Sequence, residues 1–169
     1  MSPRTRFLYL TLAAVLGACA FHGPKDFPRG SSIASVIQGM GAPTGEYATA
    51  SGGRRLEYAG GRFGKQTYMF DFDTSGQLLS AEQVLTEARF NAIKAGMTSA
   101  EVLAQIGKPS TTWAIPRQHQ IVWSYRYESL FCQWFMVGMS PEGQVVDTAY
   151  GPDPVCDDDD FFGRFMRRR

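Results

Sequence analysis

The sequence predicts an α+β fold, a tandem repeat of two short helices packed on one face of an antiparallel three- to four-stranded sheet. Three observations lead there. The first is a helix over about 98–106 with both ends written into the sequence. Thr98 and Glu101 have capping-box spacing, and Val102, Leu103 and Ile106 form one stripe. Gly107 suits a C-terminal cap and Pro109 blocks continuation. The second is recurrence: Val36, Ile37, Gly41 and Pro43 return 66 residues later as Val102, Leu103, Gly107 and Pro109. The third is that strand-length, aromatic-rich segments follow both copies, separated by Gly and Ser clusters.

Composition limits what such a chain does. Its 169 residues are 44% hydrophobic and 13% aromatic, enough for one ordinary domain or two small ones sharing a core. Lys plus Arg is 17 against 16 for Asp plus Glu, so there is no basic field of the kind that binds nucleic acid.

Taken in order, the chain begins with Arg4 and Arg6 ahead of an apolar run over 7–16, too short for a comfortable membrane span. The run ends Leu16-Gly17-Ala18-Cys19. This resembles a bacterial lipoprotein lipobox, which makes 1–18 a signal peptide and Cys19 the lipidated first residue of the mature chain. The lipid then holds the protein at a membrane surface. Ala20 is not the Asp that would favour inner-membrane retention, so the resemblance implies outer-membrane sorting. Residues 19–29, with Pro24 and Pro28, read as an extended tether.

The first repeat occupies 30–86. Ser31 or Ser32 caps a helix running to about Gln38, and strands follow near 46–50, 54–59, 66–73 and 78–85. Tyr68, Phe70 and Phe72 alternate with Thr67, Met69 and Asp71, giving one bulky face. Asp71, Asp73, Ser75, Gly76 and Glu82 also have calcium-loop spacing. The preceding residues read as a strand rather than a helix, and a β-turn with Gly76 at positive φ accounts for the same residues. No metal or other cofactor is expected.

The second repeat occupies 87–152. A short helical pattern over 87–94 puts Phe90 and Ile93 on one face and leads into the capped helix. Strands follow near 111–115, 120–127, 130–139 and 145–150. Phe135, Val137 and Met139 match Tyr68, Phe70 and Phe72 as the face under the helices, and Trp123, Tyr125 and Tyr127 share it. Trp134 and Met136 then point the other way, with Ser124 and Arg126 beside them as a polar rim. Two readings of that face stand. Trp134, Met136 and Arg126 form a partner-binding surface, or Trp134 packs under the tail or against the first repeat. The tail is 153–169. With Cys19 lipidated, Cys132 and Cys156 are the thiols left to pair in an oxidising compartment.

Gly96-Met97-Thr98, Glu101-Val102, Ile106-Gly107, Pro109 and Trp123-Ser124-Tyr125 resemble the SmpA/OmlA (BamE-like) family of outer-membrane lipoproteins. The likeness is good over about 93–150 and weaker over 27–85. It implies two helices against an antiparallel sheet, and a tandem pair resembles the β-lactamase inhibitory protein architecture. No catalytic constellation is visible: His22 and His119 are isolated, and no phosphate loop or nucleophile elbow is present. The expectation is a non-enzymatic binding or scaffold module, lipid-anchored in the outer membrane and facing the periplasm. The resemblance implies an envelope partner such as the barrel-assembly machinery, and a role in outer-membrane protein assembly or envelope integrity. An inhibitor-like module for a periplasmic enzyme and a calcium-binding module are the alternatives.

Overall fold

The computed structural model describes residues 24–156. The expected signal peptide over 1–18, the lipidation at Cys19, the start of the tether and residues 157–169 of the tail lie outside the described residues. Among the described residues no helix is long and apolar enough to cross a membrane.

The helix α1 (Ile33–Met40) opens the first repeat, capped by the Ser32 side chain, which accepts from the Ser35 N–H. Strands β1 (Gly45–Ala48), β2 (Arg54–Ala59), β3 (Thr67–Phe72) and β4 (Leu78–Gln83) follow as an antiparallel meander in that order. One helical turn, α2 (Glu87–Phe90), and the helix α3 (Ser99–Ile106) lead into the second repeat. Its strands are β5 (Thr111–Ile115), β6 (Gln120–Arg126), β7 (Gln133–Met139) and β8 (Val145–Pro152), again a four-stranded antiparallel meander. The two halves share local details. A lone bridge joins each helix start to the last turn, Ser32 to Gln77 and Thr98 to Gln144. Both third-to-fourth strand pairs shift register at matching places, after Asp71 and after Gly138. Gly76 and Gly143 sit at φ of 80° and 78° in the matching turns, a region where a Cβ is strained.

This corrects the expected fold class. Among the described residues the fold is mostly β: two four-stranded sheets carry three α-helices, and neither sheet has a pair of full helices of its own. Two physical reasons account for it. The Phe90–Ile93 spacing is met by tight turns rather than by a continued helix. The N–H groups of Ala92, Ile93 and Met97 bond back three residues to Arg89, Phe90 and Lys94. Then α3 is shared between the sheets. Val102 and Ile106 face the second sheet, where they join Phe90, Tyr125, Tyr127, Phe135, Val137 and Met139 in one cluster. Phe90 stacks on Phe135 at 4.4 Å and meets Tyr127 edge-on at 5.0 Å. The other side of α3 meets the first sheet. The Arg55 guanidinium donates to the Ala104 carbonyl at 2.6 Å, and a Cβ on Gly107 would lie 3.0 Å from Thr67 and 3.2 Å from Met69. So β2 and β3 are covered on both faces, by α1 on one and by the end of α3 on the other. That is why the first-sheet strands bury residues on both sides.

The capping box at α3 forms as its sequence dictates. Thr98 accepts from the Glu101 N–H while the Glu101 carboxylate accepts from the Thr98 N–H at 2.7 Å. The Thr98 N–H first, then the Thr98 hydroxyl donating to the same oxygen at 2.8 Å, hold the Glu101 carboxyl below its ordinary value.

Between the sheets lies a buried carboxylate. Glu57 is 0% exposed and accepts from the hydroxyls of Thr44 (2.9 Å) and Tyr47 and from the Lys108 N–H (3.3 Å). The Lys108 ammonium donates to the Thr44 carbonyl. Two tyrosines mark this layer. Burial first, then the hydrogen bond to Glu57, pushes the Tyr47 hydroxyl above its ordinary 10.0. Burial does the same to Tyr125, whose hydroxyl donates to the Gly107 carbonyl at 3.1 Å. In the unfolded chain both lose their protons near pH 10, whereas the folded protein keeps them. Their contribution to stability is therefore complete below pH 10 and is lost as pH rises through the raised folded values. Urea midpoints measured between about pH 9 and 12 should fall, with tyrosinate absorbance from these two appearing only on unfolding. A flat midpoint across that range contradicts the assignment.

Candidate functional site

The strand register assigns the sides of the second sheet. Arg126 lies opposite Trp134, which lies opposite Gly151. Ser124 lies opposite Met136 and then Ala149, and Val122 opposite Gly138 and then Asp147. From β5, Thr111 joins Ser124 and Trp113 joins Val122. Directly paired residues share a face, so all of these stand opposite α3. Among the described residues no helix covers that face.

One end of the face is built up. The Cys132–Cys156 disulfide forms, closing the chain after β8 back onto the start of β7. This fixes the turn at Pro154–Cys156, and it carries Asp153 inward. Arg126 and Asp153 form a buried two-pronged pair, with Nε donating at 2.6 Å and Nη2 at 3.0 Å. The remaining Arg126 nitrogen donates to the Arg62 carbonyl in the β2–β3 loop. The guanidinium also lies between two rings, 5.6 Å from Phe63 and 5.5 Å from Trp134. One arginine thus ties the first repeat, the sheet and the tail together. Beside it is a recess of about 360 Å³ lined by Arg62, Trp113, Arg126, Trp134, Pro154 and Val155 among others.

The rest of the face is a groove. Trp113 is 42% exposed, and its indole N–H donates to the Ser124 hydroxyl at 3.1 Å, which lays the ring across the sheet. Beyond it, a pocket of about 170 Å³ is bounded by Trp113, Ile115, Val122, Met136 and Ala149, with Asp147 as its charged group. Gly138 is in its lining, where a Cβ would meet an Asp147 oxygen at 2.3 Å and push that side chain aside. Trp113 borders both recesses.

No protein-family model and no curated protein matches the sequence. Among solved structures, an extracellular protein containing a SCP domain from Bacillus anthracis is similar at 11% identity and a TM-score of 0.33, over 83% of this chain and 49% of that one. The chain therefore spans about half of that protein's length. A DUF4309 family protein from Bacillus subtilis is similar at 15% identity and a TM-score of 0.28, over 73% of this chain and 79% of that one. At these TM-scores the likenesses carry no argument about function.

Of the residues singled out from sequence, Trp134 and Met136 do share the face away from α3, both half-buried. Arg126 and Ser124 are buried rather than forming an exposed rim. Trp134 borders Pro154 and Val155 of the tail and the Arg126 guanidinium, so it is partly covered in the way the second reading expects. The acids of the calcium-like spacing are separated by their partners. Asp71 pairs with Arg55 at 2.6 Å and Glu82 with Arg89. Asp73 accepts from the N–H groups of Ser75 and Gln77, closing the turn, and those bonds hold its carboxyl below its ordinary value. Among the described residues no group of three His, Cys, Asp or Glu is arranged to hold a metal ion. Trp113, Asp147 and Asp153 were not singled out from the sequence. The Thr111–Ile115 alternation marks Trp113 as facing one side, but only strand pairing places it beside Met136.

Proposed function

We propose that this chain is a lipoprotein anchored in the outer membrane, facing the periplasm, that acts by binding a protein partner rather than by catalysis. The observation that carries the binding reading is the pocket on the second sheet lined by Trp113, Val122, Met136, Gly138 and Ala149. Solvation alone does not favour a Trp and a Met on an uncovered sheet face, whereas interface centres are rich in both. The pattern at 16–19 supports lipid anchoring at Cys19. The resemblance to SmpA/OmlA lipoproteins supports a role in outer-membrane protein assembly or envelope integrity, with the barrel-assembly machinery as partner.

The test fills the groove without touching the core. Ala149 is exposed and lines the pocket, so Ala149→Arg should leave melting unchanged and block entry. The native chain, crosslinked in intact envelopes and isolated, should capture barrel-assembly components, and Ala149→Arg should lose at least about tenfold of that capture, equivalent to about 1.4 kcal/mol. Equal capture by both chains refutes the groove as the site. Groove-dependent capture of a periplasmic hydrolase replaces the assembly role with the inhibitor-like one.

A further inference from the structure

We infer that the cleft between the two repeats is a second binding site, one for a small monocarboxylate with a short apolar chain. It shares no lining residue with the pocket around Trp113 and Met136 on the second sheet, so the two sites stand or fall separately.

The cleft has a volume of about 360 Å³, at the small end of the range for small-molecule sites, which begins near about 300 Å³. Both halves of the chain build it. Thr44, Ala59 and Thr67 come from the first sheet and its edge, Arg62 from the β2–β3 loop, and Lys108 and Pro109 from the turn after α3. The loop is closed on itself before any ligand arrives. The Gly60 N–H donates to the Gln66 carbonyl at 3.0 Å, and the Gly64 N–H to the Gly61 carbonyl at 3.1 Å. Two glycines touch there: a Cβ on Gly64 would sit 2.4 Å from the Gly60 backbone. From behind, Arg126 donates to the Arg62 carbonyl. The wall that carries Arg62 is thus set by the fold.

Thr67 is the residue that asks for a ligand. It is 2% exposed, and its hydroxyl makes no hydrogen bond to any described residue. Its methyl carbon is the atom a Cβ on Gly107 would meet, at 3.0 Å, so the hydroxyl is turned elsewhere. Among the described residues no fully enclosed side-chain oxygen or nitrogen lacks a partner, so the Thr67 oxygen is reached from the cleft it lines. Buried hydroxyls are normally bonded, and this one is left for a group from outside. The charge says which group. Arg62 and Lys108 are exposed, and neither forms an ion pair among the described residues. The Lys108 ammonium rests on the Thr44 carbonyl, a neutral acceptor. The Glu57 carboxylate lies beneath, outside the lining, with its oxygens taken by Thr44, Tyr47 and the Lys108 N–H. Two cations over one buried carboxylate leave a single positive charge uncompensated, which matches a carboxylate better than a phosphate dianion. The hydroxyls of Thr44 and Ser110 are already bonded, to Glu57 and to the Arg126 N–H. Ala59 and Pro109 bring no polar side chain, so that part of the wall suits an alkyl group. The carboxylate then accepts from the Arg62 guanidinium and the Thr67 hydroxyl.

The experiment titrates the full-length, isotope-labelled protein with isovalerate and follows the amide signals of Thr67 and Lys108 by NMR. Saturable shifts at both are expected, with a Kd on the order of 1 mM, and isovaleramide should bind at least about tenfold more weakly because it lacks the charge. Arg62→Gln keeps the backbone carbonyl that Arg126 uses, so it should melt as the native chain does and lose at least about tenfold in affinity. Thr67→Val keeps the side-chain shape and should weaken binding about threefold or more. Two sources carry this chemistry, a free acid and the last residue of a peptide, and a short peptide ending in leucine separates them. Tighter binding of that peptide than of isovalerate, lost on C-terminal amidation, identifies a chain end. Isovalerate binding at least as tightly as the peptide identifies a free acid. No saturable shift with either carboxylate overturns the site. So does inorganic phosphate that binds more tightly than both, or a folded Arg62→Gln variant that binds isovalerate as well as the native chain.

Discussion

Asp153→Ala should destabilise the protein by about 3–5 kcal/mol, the range for stripping one partner from a buried ion pair. Arg126 would keep its charge in a buried site, held by the Arg62 carbonyl and two ring faces but without its counter-ion. The loss should appear in the urea midpoint with an unchanged slope, and also in a more accessible Trp134, since Asp153 aligns the 154–156 turn over that ring. Its oxygen also accepts from the Val155 N–H at 3.0 Å. A cycle separates the pair from its surroundings. Arg126→Met with Asp153→Ala should recover most of the loss, because an apolar replacement of a buried pair is often neutral or stabilising. The remainder then reflects the bond to Arg62, the two ring contacts and the Val155 N–H bond together. A single Asp153→Ala variant as stable as the native chain, with its disulfide intact, would remove the pair from any account of this face.

Glu57→Leu should cost about 2–4 kcal/mol and loosen the two halves from each other. The carboxylate accepts from Thr44 and Tyr47 of the first repeat and from the Lys108 N–H of the second. Leucine leaves the Tyr47 hydroxyl and the Lys108 N–H without that acceptor inside a packed junction, and each such group costs about 1–3 kcal/mol. Glu57→Gln keeps an acceptor and should lose markedly less. The expected signature is an unfolding curve that broadens or splits, since each half is about 60 residues and marginal alone. A sharp single transition at the native midpoint would show that the junction is held by α3 packing and not by this cluster.

Much of the local structure was legible in the sequence, because its causes are local. Thr98, Glu101, Gly107 and Pro109 specify α3 through bonds and φ preferences that reach no further than four residues. Gly76 and Gly143 specify their turns in the same way. Period-two runs put Phe70 and Phe72, and Phe135 and Val137, into their cores. Parity of thiols named the Cys132–Cys156 bond.

Alternation states that a strand has two sides, but not what will cover each. Polarity by itself does not mark a solvent face: the first sheet's second face carries Arg55, Glu57 and Asp71, yet the end of α3 closes over it. Glu57 is buried there because Tyr47 and Lys108, ten and fifty-one residues away, bring donors to it. Arg126 looked like a rim residue for the same reason, and Asp153 buries it from 27 positions further along the chain. The helix count per sheet changed with them, since one amphipathic helix serves two sheets once its polar side meets a polar face. Sequence alone determined the capped helix α3, the turns at Gly76 and Gly143 and the strands that alternate, since capping, turn and pleat energies act over a few residues. Tertiary structure alone decided which charges are buried and which side chains line the groove, since both depend on contacts between segments that local energies leave independent.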